Sequence, residues 1–325
     1  MLITGANGFV GFHLVNEALE AGFSVHAGVR KNSDINHLKN LNIQYSFLDY
    51  DNLDSLKEDF ESKKYDFIVH AAGITKATDY ITYERINADY TWNIAKAAKS
   101  INPQKIVFIS SLAALGPAKY GLQNVLLADA DPKPVTDYGK SKLLAEQYLK
   151  EFSELNWIIL RPTAVYGPRE KDLLLIIKTI NKGLEIYLGN NPQILSFVYV
   201  EDLAKAVVQA CLSDSVRECY NISDGNKYDA KKLSEIIKQQ LKKKTLKIRI
   251  PISVLRLLAG LIENFSRNKT SILNKDKVSE LVAENWHCSI EKAQNEISFS
   301  PQFNLEKGMK NTIEWYKINH LIYLC

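Results

Sequence analysis

Tyr138-Gly139-Lys140-Ser141-Lys142 sets a phenol and an ammonium one helical turn apart on the same face. A tyrosine ordinarily titrates near pKa ~10 and is a poor base at neutral pH. A cation held beside it favours the phenolate, so Lys142 is expected to lower the value for Tyr138. Such a pair suits moving a proton on or off an alcohol, and the lysine is also placed to hold a cofactor ribose. Taken alone, Tyr-x-x-x-Lys is a common accident of surface helices. Here it follows Ser111, at the end of an apolar run and ahead of a loop, whose hydroxyl can share a substrate oxygen with the tyrosine and stabilise developing charge. Serine as a nucleophile is the rival reading, and the Gly-x-Ser-x-Gly elbow it would need is missing. The six histidines are scattered without zinc-ligand spacing, and no metal site is expected.

A second group of residues points to a dinucleotide. Thr4-Gly5-Ala6-Asn7-Gly8-Phe9-Val10-Gly11 follows the short apolar run Leu2-Ile3 and leads into a helical pattern with Leu14, Ala18 and Leu19 on one face. Strand, turn and helix in that order bring backbone N–H groups and a positive helix end up to a diphosphate, and each missing side chain removes an obstacle to close approach. The spacing Gly-x-x-Gly-x-x-Gly is one residue wider at its first gap than the commoner fingerprint.

The elements that position both groups follow from hydrophobic periodicity. Residues 24–29 read as a second strand ending in Arg30-Lys31, and 44–48 as a third ending in Asp49-Tyr50-Asp51. Leu53, Leu56 and Phe60 mark a helix, 67–71 an apolar strand running into Ala72-Gly73, and Ile86, Tyr90, Ile94 and Ala97 another helix. Residues 105–109 form a fifth strand apolar enough to be buried on both faces. This alternation predicts a parallel sheet with right-handed crossovers and ligands at the carboxyl ends of its strands, where Arg30, Asp49, Ala72, Gly73, Ser110 and Ser111 stand. Residues 116–137 read as a loop with Pro117, Pro132 and Pro134, and a loop of that length is usually functional. A helix opens at Tyr138, and 157–160 is a sixth strand. Helical patterns at 173–182, 202–212, 230–241 and 305–318 are then interleaved with short strands near Phe197, Tyr220 and Ile248. The expected architecture is α/β: a Rossmann-type doubly wound parallel sheet over residues 1–165, with a smaller, mostly helical C-terminal substrate lobe over 166–325 whose chain crosses back to the sheet near 197–222.

Composition excludes several classes. With 46% hydrophobic and 24% charged residues over 325 positions, the chain reads as folded and soluble rather than disordered or collagen-like. The net charge is +4, and the one dense basic run, Lys242-Lys243-Lys244, reads as a solvated helix end rather than a nucleic-acid patch. Cys211, Cys219, Cys288 and Cys325 contain no Cys-x-x-Cys pair, and no signal peptide is visible, so a cytoplasmic location is expected. The apolar stretch 252–265 carries Arg256 and Glu263, is too short to span a bilayer and is expected to be a buried or surface-lying helix.

Taken together and in order, these residues resemble the extended short-chain dehydrogenase/reductase family, which includes NAD(P)-dependent sugar-nucleotide epimerases and dehydratases, dihydroflavonol reductases and 3-beta-hydroxysteroid dehydrogenases. The resemblance covers nearly the whole chain. It rests on the glycine turn, Asp49, Val69-His70-Ala71-Ala72-Gly73, Asn87, Ser110-Ser111 followed by Gly116, Tyr138 to Lys142, Arg161-Pro162-Thr163-Ala164-Val165-Tyr166-Gly167-Pro168-Arg169 and Phe197-Val198-Tyr199-Val200-Glu201-Asp202-Leu203-Ala204. It implies a catalytic triad of Ser111, Tyr138 and Lys142. It also implies a cofactor site drawn from Gly5, Asn7, Gly8, Phe9, Val10, Gly11, Arg30, Lys31, Asp49, Tyr50, Ala71, Ala72, Gly73, Asn87, Ser110, Tyr138, Lys142, Pro162 and Thr163. Asp49 would meet the adenine, Asn87 would support the active site, and Pro162-Thr163 would lie on the nicotinamide side.

Departures from the family pattern bear on function. Ala164 stands where many sugar-nucleotide epimerases carry an asparagine that contacts the substrate diphosphate. Trp286, Ser289-Ile290-Glu291-Lys292-Ala293 and the closing Leu305-Glu306-Lys307-Gly308 with Trp315-Tyr316 loosely resemble the tail of reductase and hydroxysteroid-type members. Only Leu2 and Ile3 precede the glycine turn, which is consistent with a native start upstream of Met1. The leading expectation is an NAD(P)-dependent oxidoreductase acting on a secondary alcohol or ketone. The alternatives are a nucleotide-sugar 4-epimerase or dehydratase with tightly bound NAD, and a non-catalytic cofactor-sensing protein. Val29 stands where many NAD-using epimerases carry aspartate, and Arg30 with Lys31 offers cations to a 2′-phosphate, so NADP is expected to bind better than NAD. A homodimer through the helices bearing Ile86, Tyr90 and Ile94 and the helix opening at Tyr138 is also expected, with a small-molecule substrate and no nucleic-acid partner.

Overall fold

The computed structural model describes residues 1–121, 124–189, 193–255 and 275–322. Its centre is a seven-stranded sheet in which every pairing is parallel. The strands are β1 (Leu2–Thr4), β2 (His26–Val29), β3 (Gln44–Phe47), β4 (Phe67–His70), β5 (Lys105–Ile109), β6 (Trp157–Pro162) and, after three further short strands, β10 (Glu218–Ile222). Their spatial order is β10-β6-β5-β4-β1-β2-β3. From β1 the chain moves outward through β2 and β3, then returns to the other side at β4. That reversal opens a crevice at the carboxyl ends of β1 and β4.

The central strands are apolar because both faces of the sheet are covered. All five residues of β5 are buried, as are all six of β6. On one face, α1 (Phe9–Glu20) packs beside α7 (Val200–Leu212), burying Leu14, Val15, Leu203 and Val207 against Ile3, Val107 and Ile158. On the other, α2 (Leu53–Lys63), α4 (Tyr90–Ala98) and α5 (Asp137–Lys150) bury Leu56, Phe60, Ile94, Ala145 and Leu149 against Leu2, Ile68 and Phe108. Each such aliphatic or aromatic side chain contributes about 1.5–3 kcal/mol on leaving water.

A third core lies outside the sheet. Ile177 of α6 (Asp172–Asn181), Ile236 and Ile237 of α8 (Ala230–Leu241) and Met309 and Ile313 of the helix Leu305–Ile318 come together with Tyr166 and Phe197. Two parallel strand pairs accompany it: β7 (Ala164–Tyr166) with β9 (Phe197–Tyr199), and β8 (Leu184–Leu188) with β11 (Leu246–Ile250). The periodicity of the sequence found β9 and β11 but neither partner strand. Beyond Leu255, the apolar stretch expected as a helix lies outside the described residues, as does Cys325. Among the described residues no helix is long and apolar enough to cross a membrane, and no group of three or more His, Cys, Asp or Glu side chains could hold a metal ion.

Candidate active site

The crevice is built around Gly5. Its φ of +66° suits glycine, and a Cβ added there would stand 2.8 Å from Ala72 Cα. Gly11 is equally constrained, because its Cβ would meet the Gly5 carbonyl oxygen at 2.1 Å. These two glycines let the loop after β1, the first turn of α1 and the segment after β4 close on one another. The N-terminus of α1 has no side-chain cap and no acid in its first turn. A helix end bare of anions, fronted by Asn7, Gly8, Phe9 and Val10, fits the diphosphate of a dinucleotide. Ala71, Ala72 and the exposed Gly73 continue the same wall.

Beneath the wall lies a buried polar chain. Thr4 Oγ1 receives the Ala71 and Ala72 N–H groups, each at 3.1 Å, and lies 2.8 Å from His70 Nδ1. His70 Nε2 lies 3.1 Å from Thr91 Oγ1, which itself donates to the Asn87 carbonyl at 2.7 Å. Because the Thr91 proton is committed to Asn87, His70 must donate from Nε2 and accept at Nδ1. Burial, with Lys142 nearby, pushes the imidazole down to about 3, so it stays neutral. Tyr50 is also buried, and its hydroxyl bonds to the Thr4 side chain and the Gly5 backbone. It therefore backs the glycine turn.

The predicted triad converges at the ends of β5 and α5. Thr136 caps α5 by accepting from Gly139 N–H at 2.9 Å, starting the helix immediately before Tyr138. Ser111 accepts from Ala113 N–H at 3.1 Å and shares a hydrogen bond with the half-buried Tyr138. Lys142 is buried; its ammonium donates to the Ile109 carbonyl at 2.6 Å and lies 4.3 Å from the centre of the Phe108 ring, beside Gly73. The expected lowering of the Tyr138 pKa is not found. Burial pushes the phenol up to about 12, against the opposing hydrogen bond from Ser111, while burial brings the lysine down to about 7. Spacing put the two groups on one helical face, but the apolar strand ends that cover them disfavour charge on either.

Two other residues expected at the cofactor are committed elsewhere. Asn87 sits in a π-helical turn, Glu84–Asp89, and is buried. Its amide donates to the Ile74 carbonyl and to Ser141 Oγ, each at 3.0 Å, and its oxygen accepts from Ile74 N–H at 2.8 Å. It ties the segment after β4 to α5. Ser110 donates to Glu146 at 2.5 Å. Glu146 is fully buried and receives both Nε and Nη2 of Arg161, at 2.9 and 2.5 Å, while Arg161 Nη1 donates to the Ala128 carbonyl at 2.7 Å. Sequence reasoning missed Glu146. Its signal was an acid four residues after Lys142 on the stripe that faces the sheet.

The loop 116–137 is held from the far end of the chain, which sequence reasoning also missed. Asn285, fully buried, donates to the Lys119 and Asn124 carbonyls at 3.2 and 2.7 Å, and Asn221 donates to Leu126 at 3.0 Å. Short bridges join Ala118 to Asn285 and Leu126 to Cys288. Leu112, Leu115, Leu126 and Cys288, with Ala118 and Trp286 against them, form an apolar wall immediately after Ser111. Pro162 and Thr163 are buried at the end of β6, with Thr163 N–H donating to the Ile222 carbonyl at 3.0 Å. Arg30, Lys31 and Asp49 are exposed at the ends of β2 and β3, and one Asp49 oxygen accepts from Asp51 N–H at 3.2 Å. Arg169 lays its guanidinium 4.3 Å from the centre of the Phe12 ring, joining the end of the Arg161–Arg169 motif to α1.

The chain matches the NAD dependent epimerase/dehydratase family over residues 1–223 and belongs to that family. It is an enzyme of the extended short-chain dehydrogenase/reductase type, an NAD(P)-dependent oxidoreductase or epimerase. It is 27% identical to a putative UDP-glucose 4-epimerase of Methanocaldococcus jannaschii, over 98% of this chain and 99% of that protein. It is 25% identical to a ceramide reductase of Caulobacter vibrioides, over 97% and 93%. Its fold resembles that of a UDP-glucuronic acid 4-epimerase from Bacillus cereus in complex with NAD, with a TM-score of 0.78 and 22% identity over 98% and 99% of the two chains.

Removing one partner of the buried Glu146–Arg161 pair leaves an uncompensated charge. Glu146→Ala is expected to lower unfolding stability by about 3–5 kcal/mol, and Glu146→Gln, which keeps an acceptor, by less. Urea unfolding that puts the alanine variant within about 0.5 kcal/mol of wild type would remove the pair from any structural role.

Proposed function

We propose that the protein is an NAD(P)-dependent oxidoreductase that interconverts a secondary alcohol and a ketone, the group being carried on a largely apolar molecule. The observation that supports this most is the Ser111–Tyr138 hydrogen bond at the carboxyl edge of the sheet, with the Lys142 amine beside it and an apolar wall next to it. The nicotinamide, when bound, supplies the hydride chemistry. Tyr138 carries its proton throughout the neutral range and donates it to the substrate oxygen on reduction. Ser111 donates a hydrogen bond to that same oxygen and opposes its rotation. Lys142 holds the cofactor ribose, and Gly5 through Gly11 hold the diphosphate. Leu112, Leu115 and Leu126 exclude water on the substrate side, and Ala164 offers no polar group to a substrate diphosphate.

A second reading is supported by the names of relatives that are UDP-sugar epimerases: the same three residues would oxidise and re-reduce a nucleotide sugar on a retained NAD. Supplying UDP-sugars and apolar secondary alcohols in turn, while following nicotinamide absorbance, separates the two. Net turnover with the alcohols supports the oxidoreductase; sugar inversion without net turnover replaces it. In either case Tyr138→Phe should lower turnover on the order of 100-fold to 10,000-fold and leave cofactor affinity within a few-fold. Retention of more than about a tenth of the activity would exclude Tyr138 from proton transfer.

For the cofactor, we propose a preference for NADP through Arg30, whose charge reaches Tyr50 and Tyr90 beside the crevice. Asp34, the next acid along the chain, uses one oxygen to accept from Asn36 N–H at 3.0 Å. Titrations of NADP and NAD with wild type, Arg30→Ala and Lys142→Ala test both contacts. Arg30→Ala should lose the NADP preference, and that preference should weaken as salt rises. Lys142 is protonated below about 7, and a bound anionic dinucleotide favours that form, so wild-type affinity should fall as pH rises through 7. Lys142→Ala should abolish this dependence. Equal affinities for the two dinucleotides, or an unchanged pH slope in the lysine variant, would refute the corresponding contact.

We also propose a homodimer through α4 and α5. Leu144 and Tyr148 on α5, and Ile86 in the π-helical turn that leads into α4, are only partly buried, although they also pack on the sheet. Light scattering at micromolar concentration should give twice the chain mass of 36.8 kDa, and a monomer at that concentration would dispose of the dimer.

A further inference from the structure

We propose that the end of the C-terminal lobe formed by β8, β11 and the Lys242-Lys243-Lys244 turn is a docking surface for a lipid bilayer carrying anionic headgroups. β8 and β11 pair in parallel with Leu246 opposite Leu184 and Ile248 opposite Ile186. Alternation therefore puts Leu184, Ile186, Leu246 and Ile248 on one face of the pair and Glu185, Tyr187, Lys247 and Arg249 on the other. The second face is tied down at Glu185, which is fully buried and accepts from Lys238 Nζ at 2.8 Å and Thr245 Oγ1 at 2.7 Å. The first face is covered at its carboxyl end, where Leu188 and Ile250 pack against Leu255 and Val278. At its amino end Leu184 is 37%, Ile186 45%, Ile248 38% and Leu246 67% exposed. Aliphatic side chains clustered in water in this way mark a surface that meets another apolar phase.

Charge at the same end selects the partner. An open depression of about 500 Å³ is lined there by Lys238, Lys242, Lys243, Lys244 and Lys247 with Glu235, Lys238 being paired with Glu185. It adjoins the bare strand ends directly, since Leu246 N–H donates to the Gly183 carbonyl at 2.8 Å and the exposed Lys182 precedes that glycine. Aliphatic side chains that begin two residues after the Lys242-Lys243-Lys244 turn match the layers of a bilayer interface: headgroup phosphates meet the ammonium groups of the turn while the apolar side chains enter the acyl boundary. A second copy of this chain fits less well, because a twofold pairing would bring the lysines of both copies together. Nucleic acid would engage the lysines and leave the aliphatic face in water. The inference is independent of the catalytic reading and of which substrate the enzyme takes.

Co-sedimentation of the full chain with large vesicles tests it, using phosphatidylcholine alone and phosphatidylcholine with about one third phosphatidylglycerol at low and high salt. The expected result is pelleting with the anionic vesicles that falls as salt rises, and little with the neutral ones. Lys242→Glu/Lys244→Glu/Lys247→Glu should weaken partitioning on the order of 100-fold. Leu246→Ser/Ile248→Ser should weaken it about 10-fold or more. The same serine substitutions at Ile81 and Leu212, exposed elsewhere at 78% and 64%, should leave it unchanged. Thermal unfolding and dinucleotide binding, measured on each variant, separate a lost surface from a lost fold. The inference is overturned by wild-type protein that stays in the supernatant with anionic vesicles at low salt or pellets equally with neutral ones. It is also overturned if the folded lysine variant pellets like wild type. Unchanged pelleting of the Leu246/Ile248 variant, with RNA competing the binding away, would assign the lysines to a polyanion and overturn the bilayer.

Discussion

The near-contact of Gly5 with Ala72 is the constraint on which the rest of the site depends. β1 is the strand from which the chain departs in both directions, so the loops that follow β1 and β4 meet over its end. They can close to van der Waals range only because position 5 lacks a Cβ, and they stay closed because Thr4 gathers the two N–H groups after His70. A buried hydroxyl with several hydrogen-bonding neighbours stabilises such a turn, whereas the same hydroxyl left unpaired would cost about 1–3 kcal/mol. His70 and Thr91 carry that fixed point across to Asn87, and Asn87 carries it on to α5 through Ser141. The glycine turn and the helix that carries Tyr138 and Lys142 are therefore one hydrogen-bonded unit.

α5 acts as the ruler of the site. Tyr138, Lys142 and Glu146 follow at four-residue steps along one stripe, and they pass from half-buried through buried to fully buried. Glu146 and Arg161 anchor the deep end, where two charge-assisted hydrogen bonds fix the helix in rotation and in height. Lys142 then has its ammonium at the Ile109 carbonyl, and Tyr138 reaches Ser111. Because the same packing removes water from both groups, the phenol and the amine are each driven toward their neutral forms. In the proposed reaction, a dinucleotide bringing negative charge to this spot would shift that balance back toward the lysine cation.

The C-terminal lobe is joined to the sheet by a different logic. Its helices share a core with β7 and β9, and the long loop 116–137 has its carbonyls held by Asn221 and Asn285. The apolar wall beside Ser111 thus mixes residues that follow β5 with residues near the end of the chain.

The order of strands and helices was determined by the sequence itself, because a parallel sheet covered on both faces requires continuous apolar strands separated by helices of a different period. The glycine turn, Ser111 and the Tyr138–Lys142 spacing were legible for the same kind of reason: each needs a residue type at a fixed local distance. The same four-residue spacing reaches Glu146, which was missed because nothing local marks that acid as buried. Tertiary structure alone decided what depends on residues far apart in the chain. Whether the lysine lowers the phenol's pKa depends on water, and only packing shows that water is excluded. Whether Asn87 and Ser110 face a cofactor or the protein depends on partners 54 and 36 residues away. The pairing of β8 with β11, the grip of Asn285 on the loop and the bare aliphatic strand ends beside the lysines have no local signal at all, since each arises where two segments that are silent by themselves are brought together.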